Sequence, residues 1–157
     1  MERFNFETLN AYKYGRALVK SVYLLIRKLP REEQYALGDQ LRRAVVSVPS
    51  NVAEGMSRFS PKEQIHFVEI AYGSLMEVLC QLSLANDLGY ISDEELQAER
   101  VRISDTAKIL SGLRTSIQKK ITPTTNHSPL NTQHSTFHPH NVLDGDVLIA
   151  GAVVLSR

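Results

Sequence analysis

Between Leu9 and Ile121 the apolar residues recur at steps of three and four, never in two-residue alternation, and each run is closed by a residue that breaks or caps a helix. A strand half buried in a sheet needs alternation, so this stretch is committed to helices. The first run carries Tyr12, Gly15, Val19, Val22, Ile26 and Leu29. Lys28 sits near its C-terminal end, where a cation suits the helix dipole, and Pro30 stops it. The second predicts a helix from about Glu32 to Met56 through Leu37, Leu41, Ala44, Val45, Val48 and Val52. The third opens with Ser60, Pro61 and Glu63, a capping box with proline at the first helical position. It continues through Val68, Ala71, Leu75, Val78, Leu79, Leu82 and Ala85 to a stop at Gly89. The fourth starts at Ser92, with Glu95 three residues on, and runs through Leu96, Ile103, Ala107, Leu110, Leu113 and Ile117 to Ile121. Long amphipathic helices on short connections pack against their sequence neighbours in opposite directions. The expected fold is all-α, an antiparallel up-down-up-down four-helix bundle over residues 1–121.

Past Ile121 the composition changes to TPTTNHSPLNTQHSTFHPHN, which offers nothing to a core, so residues 122–157 are expected to form a disordered tail. Its apolar end, VLIAGAVVL, has the make-up of an aggregation-prone strand or of a docking peptide. At 157 residues the chain has room for one domain with a substantial core. Its single cysteine, Cys80, excludes an internal disulfide and suits a reducing compartment. MERFNFETLN lacks the apolar stretch of a secretory signal, and no run approaches the ~18 apolar residues of a membrane span. A cytoplasmic protein with no membrane partner is expected.

No glycine-rich phosphate loop, dinucleotide turn, nucleophile elbow or zinc-protease motif occurs in the chain, which therefore reads as no enzyme and as carrying no cofactor. A di-iron bundle needs a Glu-x-x-His pair on each of two helices, and only Glu63 and His66 have that spacing. Cys80 lies among Val78, Leu79 and Leu82 and is expected to be a buried structural thiol. His127, His134, His138 and His140 belong to the polar tail and have no cysteine beside them, so a solvated tail is favoured over a metal site.

The basic residues are more informative. Lys13, Arg16, Lys20 and Arg27 recur along one face of the first helix, away from its apolar stripe. Arg42 and Arg43 add charge on the second helix, and Arg58 and Lys62 at the turn before the third. These eight are candidate contacts to nucleic-acid phosphates. Against that stands a net charge of only +1, and a solvated face balanced by Glu32, Glu33, Asp39, Glu94, Glu95 and Glu99. A ring of subunits would repeat the patch about an axis. Leu18, Leu24 and Leu25 on helix one, with Val101 and Ile109 on helix four, lie off the main stripes and point to burial against a second copy.

RRAVVSVPSNVAEG, residues 42–55, followed by FVEIAYGSLMEVLCQLSLANDLGYIS from Phe67 to Ser92, resembles the small bundle proteins encoded within intervening sequences of bacterial large-subunit ribosomal RNA genes. Relatives of that family include the accessory variability proteins of diversity-generating retroelements. The resemblance covers roughly Phe4 to Ile121 and implies an up-down four-helix bundle assembled into a barrel-shaped homopentamer. It further implies RNA or DNA and a reverse transcriptase as partners in the retroelement branch, and no enzymatic activity. The motif positions are Arg42, Ser47, Pro49, Asn51, Ala53, Glu54 and Gly55, then Ala71, Gly73, Ser74, Leu75 and Glu77.

Within the motif, Pro49 deprives the Val45 carbonyl of its helical donor at a cost of ~3 kcal/mol if uncompensated, which predicts a kink with Ser47 or Ser50 serving the freed carbonyls. Asn51 and Glu54 are expected to make polar contacts across helices or between subunits. Gly55 is expected to let the chain leave the helix.

Overall fold

The computed structural model describes residues 4–121 of the chain. Among them there are five α-helices, one short 3-10 turn and no strand. The helices are α1 (Asn5–Thr8), α2 (Asn10–Ile26), α3 (Leu37–Met56), α4 (Pro61–Asp87) and α5 (Asp93–Ile121). The expected tail, its histidines and its apolar end lie outside the described residues.

The four long helices pack as a closed circuit, α2 on α3, α3 on α4, α4 on α5 and α5 back on α2, while α1 rests on α2 and α3. Their shared core is drawn from all four, with Leu18, Val22, Ile26, Leu41, Val48, Leu75, Leu82, Ile103 and Leu110 shut away from solvent. Each such side chain contributes ~1.5–3 kcal/mol through burial, which is what makes the helices stable together.

Two residues assigned by spacing to a partner surface belong to this core. Leu18 is 1% exposed and Leu25 8% exposed, and Ile109 packs partly buried against it. A bundle helix touches two neighbours, so its buried arc is wider than a single stripe. Of that second apolar set, Leu24 and Val101 stay exposed.

The α2–α3 joint also departs from expectation. Helix two begins at Leu37 rather than near Glu32, behind a 3-10 turn at Glu33–Tyr35. Ala36, at φ −106° and ψ −94°, interrupts the helical path. Polar side chains take the place of caps here. Gln34 Nε2 donates to the Ile26 and Leu29 carbonyls at 2.7 and 2.9 Å, closing the end of α2.

At the α3–α4 turn Ser60 has the extended N-cap conformation and Pro61 follows it, but the Ser60 side chain makes no capping bond, so the expected box with Glu63 is not formed. Gln64 instead donates to the Arg58 carbonyl at 2.7 Å. The box at α5 does form: Glu95 N–H donates to Ser92 Oγ at 3.3 Å and Ser92 N–H to Glu95 Oε2 at 3.1 Å. Between them Gly89, at φ +76°, ends α4 in a Schellman motif, with Gly89 N–H on the Asn86 carbonyl and Tyr90 N–H on that of Ala85.

Helix α4 is long and apolar enough, by composition, to cross a membrane, even though Glu69 and Glu77 interrupt its apolar residues. Its Val68, Ala71, Leu75, Val78 and Leu82 are instead core residues.

Candidate nucleic-acid interface

Helix α2 divides cleanly. Ala11, Gly15, Leu18, Val22, Leu25 and Ile26 face the core. Lys13, Arg16, Lys20 and Arg27 lie off that buried set, and their spacing of three, four and seven sets them along the outer side. At 1.5 Å per residue the strip is roughly 20 Å long. There is no acidic residue in Asn10–Ile26, and none of these four cations joins any ion pair among the described residues. Arg16 alone has a close aromatic neighbour, its guanidinium 5.7 Å from the centre of the Tyr12 ring. The strip is therefore an unneutralised line of positive charge on a rigid element.

The other four basic candidates are not part of it. Arg43 and Lys62 are exposed on α3 and α4. Arg42 is bound internally: it donates to the Gln34 carbonyl at 2.8 Å, to Gln34 Oε1 at 2.8 Å and to Asp39 Oδ1 at 2.7 Å. With Gln34 on the carbonyls of α2, this makes a polar clamp from α3 through the 3-10 turn to the preceding helix. Arg58 pairs with Glu54 and lies 4.9 Å over the Phe67 ring, so it anchors the α3–α4 turn.

The rest of the motif governs how helices meet. Pro49 is buried inside α3, which continues unbroken to Met56. It faces Gly15 of α2 so closely that a Cβ on Gly15 would stand 3.2 Å from the Pro49 Cβ. Ser50 donates to the Val46 carbonyl at 2.8 Å, one residue past the expected Val45, and Ser47 points elsewhere. Ser47 Oγ accepts from Asn51 Nδ2 at 2.8 Å and lies 2.9 Å from Ser74 Oγ, which ties α3 to α4. Asn51 thus reaches α4 through Ser47, whereas Glu54 stays on its own helix with Arg58. Gly55 is not an exit residue: it is buried within α3, and a Cβ there would come within 2.8 Å of the Phe67 Cβ. Glu77 accepts from Gln81 Nε2 at 2.9 Å, and Gly73 is exposed with open space around it.

Two side chains sit where spacing misplaced them. Glu99, expected on the solvated face, is 3% exposed. Ser21 donates to its Oε2 across the α2–α5 contact at 2.9 Å, and Arg102 to its Oε1 at 2.9 Å. Burial pushes the Glu99 carboxyl above its ordinary value, against the pull of Ser21 and Arg102. Cys80, expected to be buried, is exposed. Glu63 and His66 are both exposed, with His66 edge-on to Phe67, and no group of three His, Cys, Asp or Glu among the described residues could hold a metal ion.

Two of the recesses on the surface of the described residues bear on this charge pattern. One, of about 240 Å³, lies between α4 and α5 over Val68 and Leu110 beside the Glu69–Arg114 pair. The other is an open crevice of about 690 Å³ where the start of α3 meets the end of α4.

These features define a small protein, all-helical over its described residues, whose motif residues serve helix joints and whose helix α2 carries basic residues without an acid. The chain belongs to the 23S rRNA-intervening sequence protein family, whose model matches residues 7–112. That match includes all eight basic candidates and the whole motif. Among solved structures, the fold is similar to that of a protein of unknown function from the S23 ribosomal protein family of Bacteroides thetaiotaomicron, at 18% identity and a TM-score of 0.62. The match covers 66% of this chain and 97% of the other. No curated protein matches the chain.

Proposed function

We propose that this protein is a non-enzymatic, homo-oligomeric bundle of the cytoplasm that binds nucleic acid through its phosphate backbone. The observation that carries the reading is the α2 strip of Lys13, Arg16, Lys20 and Arg27, on the outer side of a rigid helix and joined to no acid among the described residues. Phosphate contacts of this kind position a protein on RNA or DNA without reading its bases, and they strengthen binding as salt falls. The family resemblance carried by residues 42–55 and 67–92 is what favours a reverse transcriptase as the protein partner and a pentameric ring as the assembly. The bundle is read as up-down-up-down. Gly15 meets Pro49 while Ile26 meets Gly38, and Lys28 pairs with Glu95 while Ser21 meets Glu99, as antiparallel neighbours require.

The test is a titration of purified protein against structured RNA and duplex DNA at several salt concentrations. Binding should weaken linearly on a log–log plot, and charge reversal at Lys13 and Arg16 should lower the slope by roughly one for each phosphate no longer neutralised. Binding that is absent at low ionic strength would refute the reading. A bundle that contacts proteins alone is the second reading, favoured by the net charge of +1 and by the apolar crevice at Leu84 and Leu88. Protein partners retained after nuclease treatment, with no bound nucleic acid, would decide for it.

A further inference from the structure

Leu24 has no part in phosphate binding, yet it sits within the basic strip, 59% exposed, with Lys20 one turn before it and Arg27 one turn after. An apolar side chain flanked by cations is complementary to an apolar hollow ringed by acids. The 690 Å³ crevice is such a hollow. Tyr35, Leu84 and Leu88 line it at 80%, 48% and 57% exposure, with Glu33, Asp39 and Asp87 about them and Arg43 as its sole cation. Three acids against one base leave the lining at −2. Asp39 is already paired with Arg42, whereas Asp87 forms no ion pair among the described residues.

The same asymmetry holds for whole elements. Helix α2 has three cations and no acid, while α4 has Glu63, Glu69, Glu77 and Asp87 against Lys62 alone. These two helices occupy opposite corners of the circuit, so their outer faces do not meet within one molecule. Both features also lie at one end of the bundle. Ile26 borders Gly38 near the start of α3, and the start of α3 lines the crevice together with the end of α4.

We infer that Leu24 of one copy seats in the Leu84–Leu88 crevice of the next, with Lys20 and Arg27 set against its acidic rim. The contact is heterologous, joining two different surfaces of the same chain. It therefore makes a ring when the rotation closes and a filament when it does not. Because both surfaces are level along the bundle, successive copies stand side by side. The inference rests on the homo-oligomeric part of the proposed function, and not on nucleic-acid binding.

The experiment uses the full chain, freed of nucleic acid by nuclease, in light scattering at micromolar concentration. Wild type should have the mass of several copies, while Leu24→Ser and Leu88→Ser should each have the mass of one. An equimolar mixture of the two variants should regain a two-copy species, because one supplies an intact Leu24 and the other an intact crevice. A monomeric wild type, a variant that keeps the wild-type mass, or a mixture that stays monomeric would each overturn the inference. Should Leu88→Ser not fold, Asp87→Lys takes its place and should weaken self-association at least tenfold; unchanged association counts against the contact. Nucleic-acid binding by Leu88→Ser reports on the α2 strip separately, since charge reversal at Lys13 and Arg16 should weaken that binding and lower its salt slope while leaving the mass intact.

Discussion

At the scale of single residues, Glu99 is the most consequential. A carboxylate between two helices loses most of its hydration, and two hydrogen bonds, from Ser21 and Arg102, only partly replace it. Its pKa is therefore raised in the folded protein, by burial first. The folded state then holds this proton more tightly than the unfolded chain does. The penalty is complete above the folded value and fades as pH falls through it. Glu94 and Glu95 act in the opposite sense. The Ser92 hydroxyl lowers the first, and Lys28, with the Ser92 amide, lowers the second, so their contribution is present at neutral pH and lost on acidification. Comparing Glu99→Gln with wild type cancels those two groups. The variant should melt higher at pH 7, and the difference should shrink as pH falls toward the ordinary carboxylate value of 4.5. Thermal melts followed by circular dichroism from pH 4 to 8 measure it; a difference that does not vary with pH would contradict the account.

At the scale of elements, glycines on neighbouring helices have opposite roles. Gly55 lets α3 approach α4 at Phe67, where a methyl group would collide at 2.8 Å with a Cβ rather than with a flexible side-chain end. Gly55→Ala should therefore destabilise by about 1–3 kcal/mol, the range of overpacked cores. Gly73 has open space around it on an exposed helix face, so Gly73→Ala should stabilise by about 0.5–1 kcal/mol through the unfolded chain's lost freedom. Urea denaturation of both variants would show the contrast, and equal signs would undo it. Spacing and punctuation located the helices because caps and stripes depend on residues only a few positions apart. They could not place the start of α3, which depends on Arg42 reaching back eight residues to Gln34 while Gln34 closes α2. Nor could they show why α3 tolerates Pro49, whose ring fits against Gly15 of another helix.

At the scale of the whole molecule, charge is segregated although its sum is small. Helix α2 is purely basic and α4 mainly acidic, so a net charge of +1 conceals two unlike faces. Such a distribution suits contact with phosphates at Lys13 and Arg16 and, through Lys20 and Arg27, with the acidic side of a complementary copy. Among the described residues the buried core runs from Ala11 to Ile117. A chain ending at Ile121 should accordingly keep the helical signal and the melting temperature of the full protein, which circular dichroism would check. A marked loss would mean that residues beyond 121 belong to the folding unit.

The sequence by itself determined the helical class, four long helices, the Gly89 stop and the Ser92 cap. It determined the basic strip as well, because helical periodicity is a local property that turns spacing directly into a face. Only the tertiary structure decided which off-stripe residues are core. Leu18 and Leu25 are buried and Leu24 is not, a distinction set by where α3 and α5 lie against α2. The fate of Glu99 was decided in the same way, by a serine 78 positions distant. Burial is a property of neighbours brought together by folding, and spacing along one helix does not contain it.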